Sequence, residues 1–240
     1  MRVEIWSDIA CPWCYVGKAR FEKALAAFPH HDAVEVVHRS FELDPGRAEG
    51  DVEPVVTMLT RKYGMSPAQA EAGEDNLGRL AAAEGLDYRT RGRDHGSTFA
   101  MHRLLHFAKE HGRQDELLQI LYRANFAEER SVYSEGAERL VELAAEAGLD
   151  TDAARRVLAD PTAYADDVRA DEREAAQLGA TGVPFFVLDR KYGVSGAQPA
   201  EVFTQALTQA WGERPPLRLI EQRQDEADAC GPDGCAVPRG

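Results

Sequence analysis

A strand-like run, Arg2-Val3-Glu4-Ile5-Trp6, stops one short loop before Cys11-Pro12-Trp13-Cys14, and a helix-like run from Val16 to Phe28 follows at once. A strand feeding a helix sets Cys11 at the helix N-terminus, where unpaired N–H groups and the positive end of the helix dipole favour a thiolate. Cys14 lies one turn later on the same face, within reach of a mixed disulfide formed on Cys11. Two cysteines at this spacing on a strand-to-helix junction read as a redox dithiol. A structural disulfide, two buried thiols and a zinc site built from Cys11, Cys14, Cys230 and Cys235 are the alternatives. Pro12-Trp13 leaves no room for a glycine-rich knuckle and the pairs sit at opposite ends of the chain, which weighs against zinc.

Around this junction the chain reads as a β-α-β front half, closed by a second strand over 34–43 where Val34, Val36 and Val37 supply β-branched bulk. A long stretch almost without strand signals follows. Gly64-Met65, Gly85-Leu86 and Gly148-Leu149 each place glycine and an apolar residue after a helical pattern, the form of a left-handed C-cap. Ser66-Pro67-Ala68-Gln69 has the capping-box form, and Asp160-Pro161 repeats cap-then-proline. These signals predict helices over 55–64, 67–84, 97–111, 115–127, 134–147, 152–159 and 162–178. Strands return at Pro184 to Leu188 and Lys191 to Ser195, and a helix from Pro199 to Trp211 closes a β-β-α back half.

The 240-residue chain has room for a sizeable core without disulfide staples. Its formal net charge of -13 argues against nucleic acid and anionic membranes, which both need clustered Lys and Arg. No apolar run has the length of a signal peptide or a membrane span, so the expectation is a cytoplasmic protein whose dithiol spends much of its time reduced.

Three segments together resemble the DsbA-like thioredoxin superfamily, and within it the cytoplasmic FrnE-like branch. They are Ser7-Asp8-Ile9-Ala10-Cys11-Pro12-Trp13-Cys14-Tyr15-Val16-Gly17, Thr181-Gly182-Val183-Pro184-Phe185-Phe186 and Gly193-Val194-Ser195-Gly196-Ala197-Gln198-Pro199. The resemblance implies an α/β, thioredoxin-like fold split between 1–43 and 180–211, a large all-helical insertion over 44–179, and an irregular C-terminal tail over 212–240. It implies a thiol-disulfide oxidoreductase of reductase or isomerase type: Cys11 as nucleophile, Cys14 as resolving cysteine, and a cis Val183-Pro184 bond beside the Cys11 sulfur. Val183 would then offer its backbone to an extended substrate, with Pro12 and Trp13 flanking it. No tightly bound cofactor or metal is expected; glutathione or a thioredoxin system would reset the dithiol. Substrates would be a disulfide-containing protein or a small-molecule thiol or disulfide, and self-association as a homodimer is left open.

Where the DsbA pattern often has histidine, this chain has Trp13, which brings no positive charge, and Asp8 close by opposes thiolate formation; a less oxidising couple is expected. The superfamily also holds glutathione-linked isomerases in which serine replaces the first cysteine, and FrnE-like proteins are associated with polyketide pathways. Both cysteines being present favours dithiol chemistry. A non-catalytic, redox-switched binding module is the remaining alternative.

Cys230-Gly231-Pro232-Asp233-Gly234-Cys235 is a turn-rich loop able to bring two sulfurs together, and reads either as an auxiliary pair shuttling with Cys11 and Cys14 or as a passive pair. His102 and His106 share a helix face without the glutamate of a metalloprotease helix, which weighs against a metal role; the resemblance places the segment around Thr98 and His102 in the helical insertion facing the active site, and so implies His102 as a candidate for substrate contact. Asp166-Asp167 and Asp171-Glu172 are expected on a solvated helix surface.

Overall fold

The computed structural model describes residues 1–133 and 135–214, together with the backbone of Cys230–Gly231 and Gly234–Cys235. The front half is β1 (Arg2–Ser7), α1 (Pro12–Ala26) and β2 (Glu35–Ser40). The back half is β5 (Phe185–Leu188), β6 (Tyr192–Ser195) and α9 (Ala200–Gly212). Their four strands form one sheet in the order β2-β1-β5-β6, with β1 parallel to β2 and antiparallel to β5, and β5 antiparallel to β6. This is a thioredoxin-like sheet.

Strand alternation decides what covers each face. Val3, Ile5, Phe186 and Leu188 point to one side and pack on Phe21 and Ala24 of α1 and Phe203 and Leu207 of α9. Trp6, Phe185 and Val187 point to the other side and pack on Ala175 of α8 (Ala165–Gln177). Burying one such aromatic or aliphatic side chain stabilises by about 1.5–3 kcal/mol, so the sheet is held from both faces.

Between the halves run β3 (Glu53–Pro54), α2 (Val55–Tyr63), α3 (Pro67–Ala83), β4 (Asp94–His95), α4 (Phe99–Glu110), α5 (Gln114–Phe126), α6 (Gly136–Glu146) and α7 (Thr151–Ala159), then α8. Leu104, Leu117, Leu121, Phe126, Leu143 and Ala144 centre a second core here, and Ile9, Cys11 and Cys14 belong to it. The cysteine loop therefore lies where sheet and helical core meet.

The helix ends follow the expected chemistry. Gly85 and Gly148 are left-handed, at φ 77° and 80°, and Leu86 N and Leu149 N return to Ala81 O and Ala144 O, closing the last turns. Ser66 and Gln69 form a reciprocal capping box.

Three expectations are corrected. The strand after α1 ends at Ser40 rather than 43, because Leu43 N donates to the Asp8 carboxylate, 2.7 Å, instead of extending the ladder. Asp160-Pro161 does not cap α8. The Asp160 carboxylate accepts from Thr162 N and Oγ1 at 2.9 and 2.7 Å and closes a turn, so α8 starts only after a left-handed Tyr164. Asp171 is not on a solvated surface: it sits on the inward stripe Val168, Asp171, Ala175 and is 3% exposed. There it accepts from Ser40 N at 2.9 Å and Arg39 Nη1 at 2.9 Å, with His106 Nε2 3.2 Å away. These partners outweigh the effect of burial and hold its carboxyl below the ordinary range.

Candidate active site

Cys11 is the N-cap residue of α1 and Pro12 occupies the first helical position, where a missing N–H costs nothing. The Cys11 N–H donates to Asp8 O at 3.1 Å, and Cys14 N and Tyr15 N return to Cys11 O at 3.0 and 3.3 Å. Both cysteines are free thiols and both are buried, at 4% and 1% exposure. Burial, with the neighbouring Cys11 and the Asp8 charge adding to it, holds the Cys14 thiol well above its ordinary value. The arrangement suits a resolving thiol that keeps its proton until a mixed disulfide stands on Cys11.

The Val183–Pro184 peptide bond is cis, and Cys11 Sγ lies 3.7 Å from Val183 O. Close packing fixes this approach. A β-carbon on Gly17 would meet Pro184 Cγ at 2.9 Å and Ala197 Cα and Cβ at 3.3 Å, so α1 can lie against the proline loop only with glycine there. Gly196 N holds the loop from the other side by donating to Pro184 O at 2.8 Å. Trp13 stands 43% exposed beside Cys11 and offers an apolar rim.

His102 is corrected as a substrate contact: it is 1% exposed and its Nε2 faces Asp8 Oδ1 at 3.5 Å. Asp8 also accepts from Leu43 N and, at 3.2 Å, from Ala10 N. Burial alone would raise the Asp8 carboxyl, but the His102 ring, Leu43 N–H and Thr98 outweigh it and hold it low. The two histidines four apart on α4 thus serve two different carboxylates, His102 meeting Asp8 under the cysteine loop and His106 meeting Asp171 under the sheet.

The β3–β4 pair was not legible in the sequence, since two residues carry no period, yet it delivers Arg93, Asp94 and His95 to a cavity of about 320 Å³ beside Cys11, Pro12 and Trp13. A larger cleft of about 650 Å³ between α1, α5 and α6 lies away from Cys11, and its charges are spent on one another, Arg123 on Glu146 and Arg113 on Glu116. The backbones of Cys230 and Cys235 pair across a two-residue ladder. Their side chains lie outside the described residues. Among the described residues no helix is long and apolar enough to cross a membrane.

A family model described as a DSBA-like thioredoxin domain matches residues 2–208. The chain is similar to the crystal structure of a probable DsbA oxidoreductase from Streptomyces coelicolor, with 79% identity over all of both chains and a TM-score of 0.89. An uncharacterised protein from Bacillus subtilis is 27% identical over 210 residues, 87% of this chain and 96% of its own. The cytosolic disulfide reductase DsbM from Pseudomonas aeruginosa shares the fold, at TM-score 0.57 and 20% identity over 87% of this chain and 98% of that one.

Proposed function

The chain belongs to the DSBA-like thioredoxin oxidoreductase family, and from that membership we propose that it is a thiol-disulfide oxidoreductase of the reductase or isomerase type, acting in the cytoplasm. The observation that carries this reading is the pair of free thiols one helical turn apart, with Cys11 Sγ 3.7 Å from Val183 O at a cis-proline loop.

The Cys11 thiolate attacks one sulfur of a substrate disulfide; the substrate S–S bond breaks and the departing thiolate takes up a proton. Cys14 then loses its proton and attacks the Cys11 sulfur, releasing the second substrate thiol and leaving a Cys11–Cys14 disulfide. Two electrons pass from the dithiol to the substrate. Two glutathione thiols, or the dithiol of a thioredoxin system, return them through a mixed disulfide and are left as a disulfide. Val183 presents its backbone to an extended substrate in the manner of an added strand, and Trp13 covers the apolar side. The FrnE-like resemblance and the net charge of -13 support a cytoplasmic role without nucleic acid or membrane partners. Cys230 and Cys235 act as an auxiliary pair in this reading.

The test is alkylation mass spectrometry of the wild type and of Cys14→Ser protein in glutathione buffers, with insulin reduction as the turnover assay. A Cys11 adduct trapped in the variant and a two-electron Cys11–Cys14 couple in the wild type are expected. One-off oxidation of the wild type without turnover would instead make the dithiol a switch, and thiols that resist alkylation until a chelator is added would make it a metal site. Truncation at Glu221 with unchanged turnover would remove the role of the tail pair.

A further inference from the structure

Asp8 and His102 are buried together under the cysteine loop, each 1% exposed, and neither exchanges electrons with the dithiol. Asp8 is the residue around which that loop is folded. Its carboxylate accepts from Ala10 N at 3.2 Å and Leu43 N at 2.7 Å, and its carbonyl accepts from Cys11 N at 3.1 Å. Its own N–H faces the Cys14 sulfur.

The two ends of Asp8 act on Cys14 in opposite senses. The N–H favours the Cys14 thiolate, whereas the carboxylate charge opposes it. A resolving thiolate can form beside this carboxylate only in so far as the negative charge is met by other groups. The Ala10 and Leu43 N–H groups meet part of it, and Thr98, the N-cap residue of α4, adds its side chain. His102 stands one turn further along α4 and brings Nε2 to 3.5 Å from Asp8 Oδ1. Held ionised by these partners, Asp8 is a poor acceptor for the Cys14 proton.

We propose that His102 is a positioning residue for the resolving step: it meets the Asp8 charge that would otherwise oppose the Cys14 thiolate and leaves the Asp8 N–H to favour it. In that step Cys14 loses its proton and its sulfur bonds to Cys11 Sγ. The bond between Cys11 and the substrate sulfur breaks, and the substrate leaves as a thiol carrying the proton. Attack of Cys11 on the substrate comes earlier and does not use His102. This rests on the oxidoreductase reading, and the two steps can be timed separately.

The experiment mixes the reduced full-length chain, carrying Cys230→Ser and Cys235→Ser to silence the tail pair, with one equivalent of dithiobis(nitrobenzoate). Attack by Cys11 releases the first nitrothiobenzoate and resolution by Cys14 the second, so one absorbance trace gives both rates. The second phase is followed between about pH 6 and 9, where a thiol titrates. His102→Met should leave the first phase unchanged and raise the pH midpoint of the second by about one unit. At pH 7 the second phase should then slow by about threefold, because a tenfold loss of thiolate is offset about halfway, on a logarithmic scale, by the greater nucleophilicity of a more basic sulfur. Adding Asp8→Asn removes the charge that His102 meets and keeps an oxygen for the Leu43 N–H, so the double variant should return to within about twofold of the starting rate. If His102→Met does not fold, His102→Asn, too short to reach Asp8, takes its place in the same comparison. The other titratable groups around the pair, Cys11, His95, Tyr122 and Tyr133 around Asp8 and Glu42 beside His102, are the same in every variant. An unchanged second phase in the His102 variant, a double variant slower than the single one, or a first phase that slows in step with the second would overturn the proposal and leave the dithiol reading intact. A starting protein that releases no nitrothiobenzoate would overturn both.

Discussion

Gly17→Ala tests whether close packing of α1 on the proline loop builds the site. Two effects oppose each other. Alanine in place of glycine inside a helix ordinarily stabilises by about 0.5–1 kcal/mol. Here the new methyl would sit 2.9 Å from Pro184 Cγ and 3.3 Å from Ala197 Cα and Cβ, where carbon pairs prefer about 3.5–4.0 Å. None of these neighbours is the end of a flexible chain: one is a proline ring, the others a backbone carbon and the methyl attached to it. The overpacking cost therefore falls toward the upper part of its usual range of about 1–3 kcal/mol. The difference leaves a net destabilisation of about 1–2 kcal/mol, which for a chain of this size lowers the melting temperature by about 2–8 °C. Relief of the clash moves Pro184 away from α1, so the 3.7 Å contact between Cys11 Sγ and Val183 O opens and adduct formation with insulin slows. Gly73→Ala is the control, because its methyl would meet only Met65 Cε at 3.9 Å in a helix of the same kind, and it should gain about 0.5–1 kcal/mol. Thermal unfolding by circular dichroism and an insulin-reduction rate read both variants. A Gly17→Ala protein that melts at or above the wild-type temperature would refute the packing argument.

Asp171→Asn keeps the shape but removes the charge that Arg39 and His106 face under the sheet, and breaking such a buried pair costs about 3 kcal/mol or more, measured by urea unfolding at pH 7. Acid should destabilise the fold by a defined route. Glu4, Asp8, Asp115 and Asp171 all have folded pKa values below their ordinary ones, so their contribution is complete above about pH 5 and is lost as pH falls through the carboxylate range, which the urea midpoint between pH 7 and 3 should follow. His95 is also depressed, from 6.5, so its neutral form contributes stability above that value and loses it as pH drops toward 5; His95→Phe should flatten that part of the curve and leave the carboxylate part in place. Trp13→Ala, at a 43% exposed position, should change stability by no more than about 0.5 kcal/mol while slowing Cys11 adduct formation with apolar probes; equal rates would remove Trp13 from the substrate surface.

What could be read from the sequence was what local chemistry decides. Cys11, Pro12 and Cys14 sit on a strand-to-helix junction, Gly85-Leu86 and Gly148-Leu149 close helices by their own backbone bonds, and Ser66 with Gln69 starts one; each signal acts within a few residues. What could not be read was partnership across the chain. Nothing near Asp8 says that its partner is His102, and nothing near His106 points to Asp171, because each pair forms only when α4 packs between the sheet and the cysteine loop. Asp171 did carry an overlooked signal. It stands three residues after Val168 and four before Ala175, on the one apolar stripe of an otherwise charged helix, and a carboxylate on such a stripe must be buried and therefore paired. The acidic neighbours that made the segment look solvated, Asp166 and Asp167, are themselves exposed in the first turn of the helix. His95 offered no such signal, because a two-residue strand carries no period from which its burial could be read.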